Sequence, residues 1–147
     1  MKILIIYESI HHGNTEKIAK AMAEVLKADR LKTKDVTNEV LDNYDLIGFG
    51  SGIYYGKLHK NILDLIDNIK PIANKKAFVF STSGQGKEKY NEAAEKKLIE
   101  KNFEVVNNFA CRGYDTFGPF KIIGGIAKGK PDESDIKKAR EFALQLL

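Results

Sequence analysis

Short apolar runs alternate with stretches of helical spacing along this sequence, and that alternation limits the possible folds more than any other feature. Five runs are predicted to be strands, over 2–7, 31–36, 45–51, 75–82 and 103–109. Helices are predicted over 15–28, about 58–69 and 87–101, and from Pro131 onward. Strands that alternate with helices form right-handed βαβ units, so we expect a parallel sheet covered by helices on both faces. The pattern alone leaves the strand order open.

The length and composition predict one globular domain over residues 1–147, which is long enough to bury a core. The hydrophobic share is 43% and the charged share 30%, as in ordinary globular proteins. No apolar run approaches the roughly 20 residues of a membrane helix. The N-terminal run is too short for a signal peptide and lacks a cleavage site. We therefore expect a cytoplasmic protein without membrane insertion.

The residues of several common chemistries are missing or badly spaced. Cys111 is the only cysteine, which excludes an internal disulfide, and we expect it to be a small buried residue. The three histidines show no metal-binding spacing, and the acidic residues form no recognisable acid/base pair. The net charge of +4 comes from scattered lysines without a dense basic stripe. The sequence thus predicts no metal site, no catalytic residue and no nucleic-acid partner.

The loop after the first predicted strand has the composition of a phosphate site. Ligands of open α/β sheets bind beyond the carboxyl ends of the strands. Here Ser9 and Thr15 supply hydroxyls, Gly13 lets the backbone approach closely, and a helix start supplies N–H groups. An alternative of equal weight is that Asn14 or Thr15 only caps the helix. The loop has neither a GxxxxGK[ST] nor a GxGxxG pattern, which argues against a nucleoside triphosphate or a dinucleotide.

The loops after two further strands offer a ring platform and a polar edge. Tyr54 and Tyr55 follow the third strand among glycines, where exposed aromatic rings are suited to stacking on a flat ring. The alternative is one tyrosine packed on the domain and one solvated. The segment 81–86, Ser-Thr-Ser-Gly-Gln-Gly, supplies backbone groups that can reach the edge of a heterocycle. The three loops together predict a site for a flat heterocycle with a monophosphate tail.

These motifs resemble those of the flavodoxin family. Residues 9–16 are similar to the flavodoxin phosphate loop, which runs into Gly-Asn-Thr-Glu. Residues 50–60 resemble the second flavin loop of short flavodoxins and of flavodoxin-like quinone-pathway oxidases. Residues 111–131 resemble a subgroup of small flavodoxins of anaerobic bacteria and archaea. The resemblance covers the whole chain. It implies an α/β, flavodoxin-like, doubly wound sheet of five parallel strands in the order 2-1-3-4-5, within three αβα layers, and noncovalent FMN.

The resemblance also implies which residues bind FMN. The implied phosphate ligands are Ser9, His11, His12, Gly13, Asn14 and Thr15. The implied residues of the second loop, whose tyrosines would flank the ring and whose glycine would lie near its reactive edge, are Ser51, Gly52, Ile53, Tyr54, Tyr55 and Gly56. The implied residues on the pyrimidine side are Thr82, Ser83 and Gly84. The third loop has no aromatic residue before Tyr90, so the ring is expected to be stacked on one face only or covered by Tyr114 or Phe117.

The sequence departs from the family in two respects. His11 and His12 stand where most flavodoxins carry threonine, and the charge of +4 contrasts with the usual strongly acidic family member. The resemblance implies a monomeric electron carrier that shuttles electrons between redox partner proteins, namely a reductase, an iron–sulfur protein or an electron-accepting enzyme. The first alternative is a flavodoxin-like FMN oxidoreductase acting on a quinone or a porphyrin precursor. The second is a binding module that has lost its flavin, which the three retained loops disfavour.

Overall fold

The sheet is seen in a computed structural model that describes residues 1–10, 12–114 and 125–147. Within these residues the parallel strands are β1 (Ile3–Glu8), β2 (Asp29–Lys32), β3 (Leu46–Tyr54), β5 (Lys76–Ser83) and β6 (Glu104–Arg112). They pair in the order β2-β1-β3-β5-β6, while the short strand β4 (Lys57–Leu58) pairs antiparallel with β3. Counted without β4, this is the predicted order 2-1-3-4-5, and the prediction of the fold class is confirmed.

Helices cover both faces of the sheet, as predicted. The helices of the described residues are α1 (Asn14–Leu26), α2 (Asn38–Asp42), α3 (Lys60–Asn68), α4 (Glu92–Glu100) and α5 (Glu133–Gln145). The side chains of β1 show the two layers. Ile3 and Ile5 pack in the core with α1 and α5, whereas Leu4 and Ile6 pack in the core with α3 and α4. All four are buried, which explains why this strand reads as one continuous apolar run.

Several predicted boundaries were wrong. β3 and β6 each run three residues beyond their predicted ends at 51 and 109. The second strand was predicted over 31–36, but β2 ends at Lys32 because Thr33–Asp35 form a turn of 3₁₀ helix. The helix predicted to start at Leu58 starts at Lys60 instead, because Leu58 pairs with Ile53 in the hairpin. The one-turn helix α2 was not predicted at all.

Two glycines in β3 make room for aromatic rings of the neighbouring strand. A Cβ on Gly48 would lie 2.3 Å from the ring of Phe78, and a Cβ on Gly50 would lie 2.3 Å from the ring of Phe80. Both rings are fully buried in the core. β3 and β5 therefore pack tightly just below the loops that follow them.

No helix among the described residues is both long enough and apolar enough to cross a bilayer.

Candidate functional site

The strand register brings the carboxyl ends of four neighbouring strands to one level. Glu8 of β1 lies beside Ser51 of β3, Gly52 lies beside Thr82 of β5, and Thr82 lies beside Cys111 of β6. The loops after β1, β3 and β5 consequently meet at one edge of the sheet. We refer to them as the first loop (9–15), the second loop (51–59) and the third loop (82–86).

The first loop turns sharply into α1 through two residues with left-handed backbone. His12 has φ 46° and Gly13, the N-cap residue, has φ 65°. The hydroxyl of Ser9 accepts the N–H of Glu16 at 3.1 Å, which ties the start of the loop to the first turn of the helix. A Cβ on Gly13 would meet no atom of the described residues within 4 Å, so the backbone borders open space beside them. The helix start thus presents N–H groups where an anion can approach.

The alternative that Asn14 or Thr15 only caps the helix is wrong. Gly13 is the N-cap residue and has no side chain, and the hydroxyl that accepts an N–H of the first turn is that of Ser9. The Thr15 hydroxyl lies 2.9 Å from the Thr82 hydroxyl, and both threonines are buried. The Asn14 amide donates to the carbonyl oxygen of Tyr114 at 2.8 Å. The two side chains therefore hold the first loop to the third loop and to the segment after β6. His11 lies outside the described residues.

The backbone at Gly113 and Tyr114 connects the first and third loops a second time. The N–H of Gly113 donates to the Ser83 carbonyl at 2.8 Å. A Cβ on Gly113 would lie 2.7 Å from the Asn14 amide nitrogen, so a larger residue would displace that side chain. The Tyr114 ring lies against His12, with 4.4 Å between ring centroids. Tyr114, one of the two expected ring covers, therefore contacts the first loop, while Phe117 lies outside the described residues.

The second loop is a tight hairpin whose tip carries a tyrosine. Ile53 pairs with Leu58 and Tyr54 pairs with Lys57, which leaves Tyr55 and Gly56 as the turn. Both have positive φ, 53° and 78°, as a type I′ turn requires. Tyr55 is 91% exposed and Tyr54 is half-buried. One tyrosine is thus partly packed on the domain and one is solvated, as the alternative interpretation describes. A Cβ on Gly56 would meet no atom within 4 Å.

Hydrogen bonds within the protein shape the third loop. The Ser83 hydroxyl accepts a hydrogen bond from the N–H of Gly86 at 2.7 Å. The Gly84 carbonyl accepts one from the Nε–H of Arg112 at 3.0 Å. The exposed guanidinium of Arg112 therefore brings a positive charge to this loop. The sequence analysis assigned no role to Arg112. The one sequence signal for it is its position directly after the apolar end of β6.

Cys111 is structural, as expected. It is buried beside the site, and its pKa is raised to about 12, chiefly by burial and next by the nearby Asp135 carboxylate. The protonated thiol is therefore the form that prevails at neutral pH. Among the residues that the structure describes, no three His, Cys, Asp or Glu side chains gather to hold a metal ion.

Known proteins identify the family of this chain. The family model described as "Flavodoxin domain" matches residues 4–120. An uncharacterized protein of Methanocaldococcus jannaschii is 52% identical over an alignment of 149 positions, which covers 100% of this chain and 99% of that protein. A flavodoxin from the domain Archaea has a similar structure, with a TM-score of 0.75 at 20% identity, over 99% of this chain and 96% of that one. Flavodoxin 2 from Bacillus cereus has a TM-score of 0.68 at 28% identity, over 98% and 96%.

The groups at the edge of the sheet fit the cofactor that this family implies. FMN carries one phosphate and one flat ring system. The described residues offer a helix start at Gly13 and an exposed aromatic ring at Tyr55, and a Cβ on Gly13 or Gly56 would meet none of their atoms within 4 Å. The family model covers well over half of the chain. The chain therefore belongs to the flavodoxin family, the electron-transfer proteins whose cofactor is FMN.

Proposed function

We propose that this protein is an electron carrier that holds FMN at the carboxyl edge of its sheet and shuttles electrons between redox partner proteins. The open hairpin tip is the observation that carries the proposal. Tyr55 is 91% exposed at that tip, and Gly56 beside it borders open space. A cofactor held by such a tip is within reach of another protein, as electron exchange between proteins requires.

We assign the phosphate to the first loop and the ring to the other two. The N–H groups at the start of α1 and the positive end of its dipole favour the phosphate. The residues assigned to the phosphate are Ser9, His11, His12, Gly13, Asn14 and Thr15. The residues assigned to the ring are Ser51, Gly52, Ile53, Tyr54, Tyr55, Gly56, Thr82, Ser83 and Gly84. When bound, FMN supplies one-electron and two-electron redox chemistry.

The chain's own contribution is to bind and orient the cofactor. The hydroxyls of Thr15, Thr82 and Ser83 have protein partners, so we assign these side chains to holding the loops and the backbone groups of the same residues to the cofactor. Direct contact with the cofactor then falls to backbone N–H groups and to the exposed tyrosine ring. Arg112 adds a positive charge that favours negative charge near the third loop.

A groove beside the hairpin favours the second candidate, an FMN oxidoreductase acting on a quinone or a porphyrin precursor. Its volume is about 550 Å³, within the range of small-molecule sites. Tyr54, Tyr55 and Leu63 supply much of its apolar lining. Its lysines are largely balanced, because Asp64 pairs with Lys60 and Asp67 pairs with Lys97. A flat, mostly apolar substrate such as a quinone would suit this lining. The carrier is the first proposal because the groove is lined by the hairpin, α3 and Lys97, and not by described residues of the first or third loop.

The remaining parts of the proposal concern the setting of the protein. We propose that it acts as a monomer and as one domain in the cytoplasm, and that its partners are a reductase, an iron–sulfur protein or an electron-accepting enzyme. The scattered lysines that give the chain its charge of +4 make docking to such partners dependent on salt.

Equilibrium dialysis and stopped-flow absorbance together test the proposal. We expect one FMN per chain and little affinity for FAD, since we assign one phosphate site and the sequence has no GxGxxG dinucleotide pattern. We expect NADH or NADPH alone to reduce the bound cofactor slowly, because hydride transfer needs a dedicated site that holds the nicotinamide. A flavodoxin reductase should reduce it quickly. Absence of FMN binding at micromolar concentration would refute the proposal. Rapid turnover of NAD(P)H with a quinone and no reductase would establish the oxidoreductase instead.

A further inference from the structure

His59 lies where the hairpin of the second loop passes into α3, and it contacts both. Its backbone N–H donates to the Ser51 hydroxyl at 2.8 Å. Its ring nitrogen Nδ1 accepts the N–H of Asn61 at 2.9 Å, which makes it the N-cap residue of α3. Its ring meets the Tyr54 ring edge-on, with 5.2 Å between centroids and 89° between planes. The sequence analysis gave this histidine no role.

Ser51 joins the two ends of the hairpin through one hydroxyl. This hydroxyl accepts the N–H of His59 and donates to the carbonyl of Gly52 at 2.7 Å. Ser51 is fully buried, so its position is fixed by the core below it. The segment from Gly52 to His59 is thus closed at its base by one buried side chain, and His59 forms one side of that closure.

The residue type at position 59 is not explained by capping alone. Serine, threonine, aspartate and asparagine are the preferred N-cap residues, because their short side chains reach the first N–H groups of a helix. Histidine caps here through Nδ1. That bond also fixes the plane of the imidazole, so the ring meets Tyr54 edge-on, a geometry that aromatic pairs favour. A short cap residue would supply the hydrogen bond without the ring contact.

We propose that His59 is a positioning residue of the cofactor site, which holds the Tyr54 side chain and so the hairpin tip in the conformation that binds FMN. This inference rests on the proposed function of the second loop. His59 acts through Tyr54, whose neighbours in the chain are the turn residues Tyr55 and Gly56. Loss of the imidazole ring then loosens the tip without removing any group assigned to the cofactor.

Two variants separate the ring contact from the cap. In His59→Asn the amide can still cap α3 but no ring contacts Tyr54. In His59→Phe a ring remains but the acceptor for Asn61 is lost. Thr37→Ala is the matched control, because it removes the N-cap hydrogen bond of α2, a helix that holds no proposed cofactor ligand. FMN affinity by titration and melting temperature are measured for all three.

We expect His59→Asn to weaken FMN binding about 3- to 10-fold, the size of an edge-to-face ring pair, and to lower the melting temperature no more than Thr37→Ala does. We expect His59→Phe and Thr37→Ala to lower the melting temperature and to keep the affinity within twofold. An affinity of His59→Asn within twofold of the unaltered protein would overturn the inference, as would an equal loss in His59→Phe.

A second measurement separates this inference from the proposed function. The aromatic NMR signals of Tyr54 are recorded in the protein without FMN. We expect them to shift in His59→Asn and to stay in place in Thr37→Ala. If the unaltered protein binds no FMN, the proposed function fails, while the Tyr54 signals still decide whether His59 positions that ring. Unshifted Tyr54 signals in His59→Asn would refute the positioning role in either case.

Discussion

The hydroxyl of Thr15 at the start of α1 and the hydroxyl of Thr82 at the end of β5 lie 2.9 Å apart, and both residues are buried. One hydrogen bond therefore joins the first loop to the third across the face of the sheet. The two loops assigned to opposite ends of FMN are held to each other by the protein itself, before any ligand contact is considered.

A double-mutant cycle measures this bond. Thr82→Val keeps the shape of the side chain but leaves the Thr15 hydroxyl buried without its partner, so we expect a loss of about 1–3 kcal/mol in the free energy of unfolding. Thr15→Val should cost a similar amount. The double variant should be more stable than the sum of the two losses predicts, because no hydroxyl is then left unpaired. Urea unfolding of the four proteins gives these values, and strictly additive losses would show that the two hydroxyls do not interact.

The glycines of β3 give a matched test of packing beneath the site. In Gly50→Ala the new Cβ would lie 2.3 Å from the buried Phe80 ring, so we expect a loss of at least about 1–3 kcal/mol of stability. In Gly52→Ala the nearest atom, in the Tyr54 ring, is 3.6 Å away, which is an ordinary contact. We therefore expect a much smaller change from the same substitution two residues further along the strand. Equal losses in thermal or urea unfolding would contradict this account of β3.

The parts of the fold that the sequence predicts are those buried on both faces. β1 and β5 are apolar runs because helices cover both of their faces. Their positions in the sequence can therefore be predicted from hydrophobicity alone. β4 could not be predicted from the sequence, because it has only two residues and its buried Leu58 fits the apolar spacing of the helix that follows. β2 is a four-residue edge strand with mostly exposed side chains, which explains its misplaced boundaries.

The meeting of the three loops at one edge of the sheet was predictable, but the contacts between them were not. Loops that follow neighbouring parallel strands must meet at one edge, so the three loops were found from the sequence. The bond from Asn14 to the Tyr114 carbonyl spans 100 positions and depends on the exact register of β6. No local pattern encodes such a pairing. For the same reason the hydrogen bond between Thr15 and Thr82 was not predicted from the sequence.

Cys111 predicts a specific dependence of stability on pH. Its folded pKa is about 12, whereas its ordinary value is 9.0. The unfolded chain therefore releases the thiol proton first as the pH rises, and the stabilisation that is complete below pH 9 is lost progressively toward about pH 12. Cys111→Ala should remove this component, so the gap in unfolding free energy between the two proteins should narrow above pH 9. A gap that is constant with pH would contradict the raised pKa. Ellman's reagent should label the thiol only after unfolding.

Tyr55 at the hairpin tip predicts a separation of binding from stability. Tyr55→Asn removes the ring while keeping a residue that tolerates the φ of 53° in a type I′ turn. Because the side chain is 91% exposed, we expect the melting temperature to stay within error. Stacking of a flat ring on an aromatic side chain is worth about 1–3 kcal/mol by analogy with nucleobases, so FMN affinity should fall roughly 5- to 150-fold. Leu144→Gln removes another exposed apolar side chain, on α5, and should leave the affinity unchanged. If Tyr55→Asn binds FMN as tightly as the unaltered protein, the tip does not stack on the cofactor and the ring contact belongs to Tyr54.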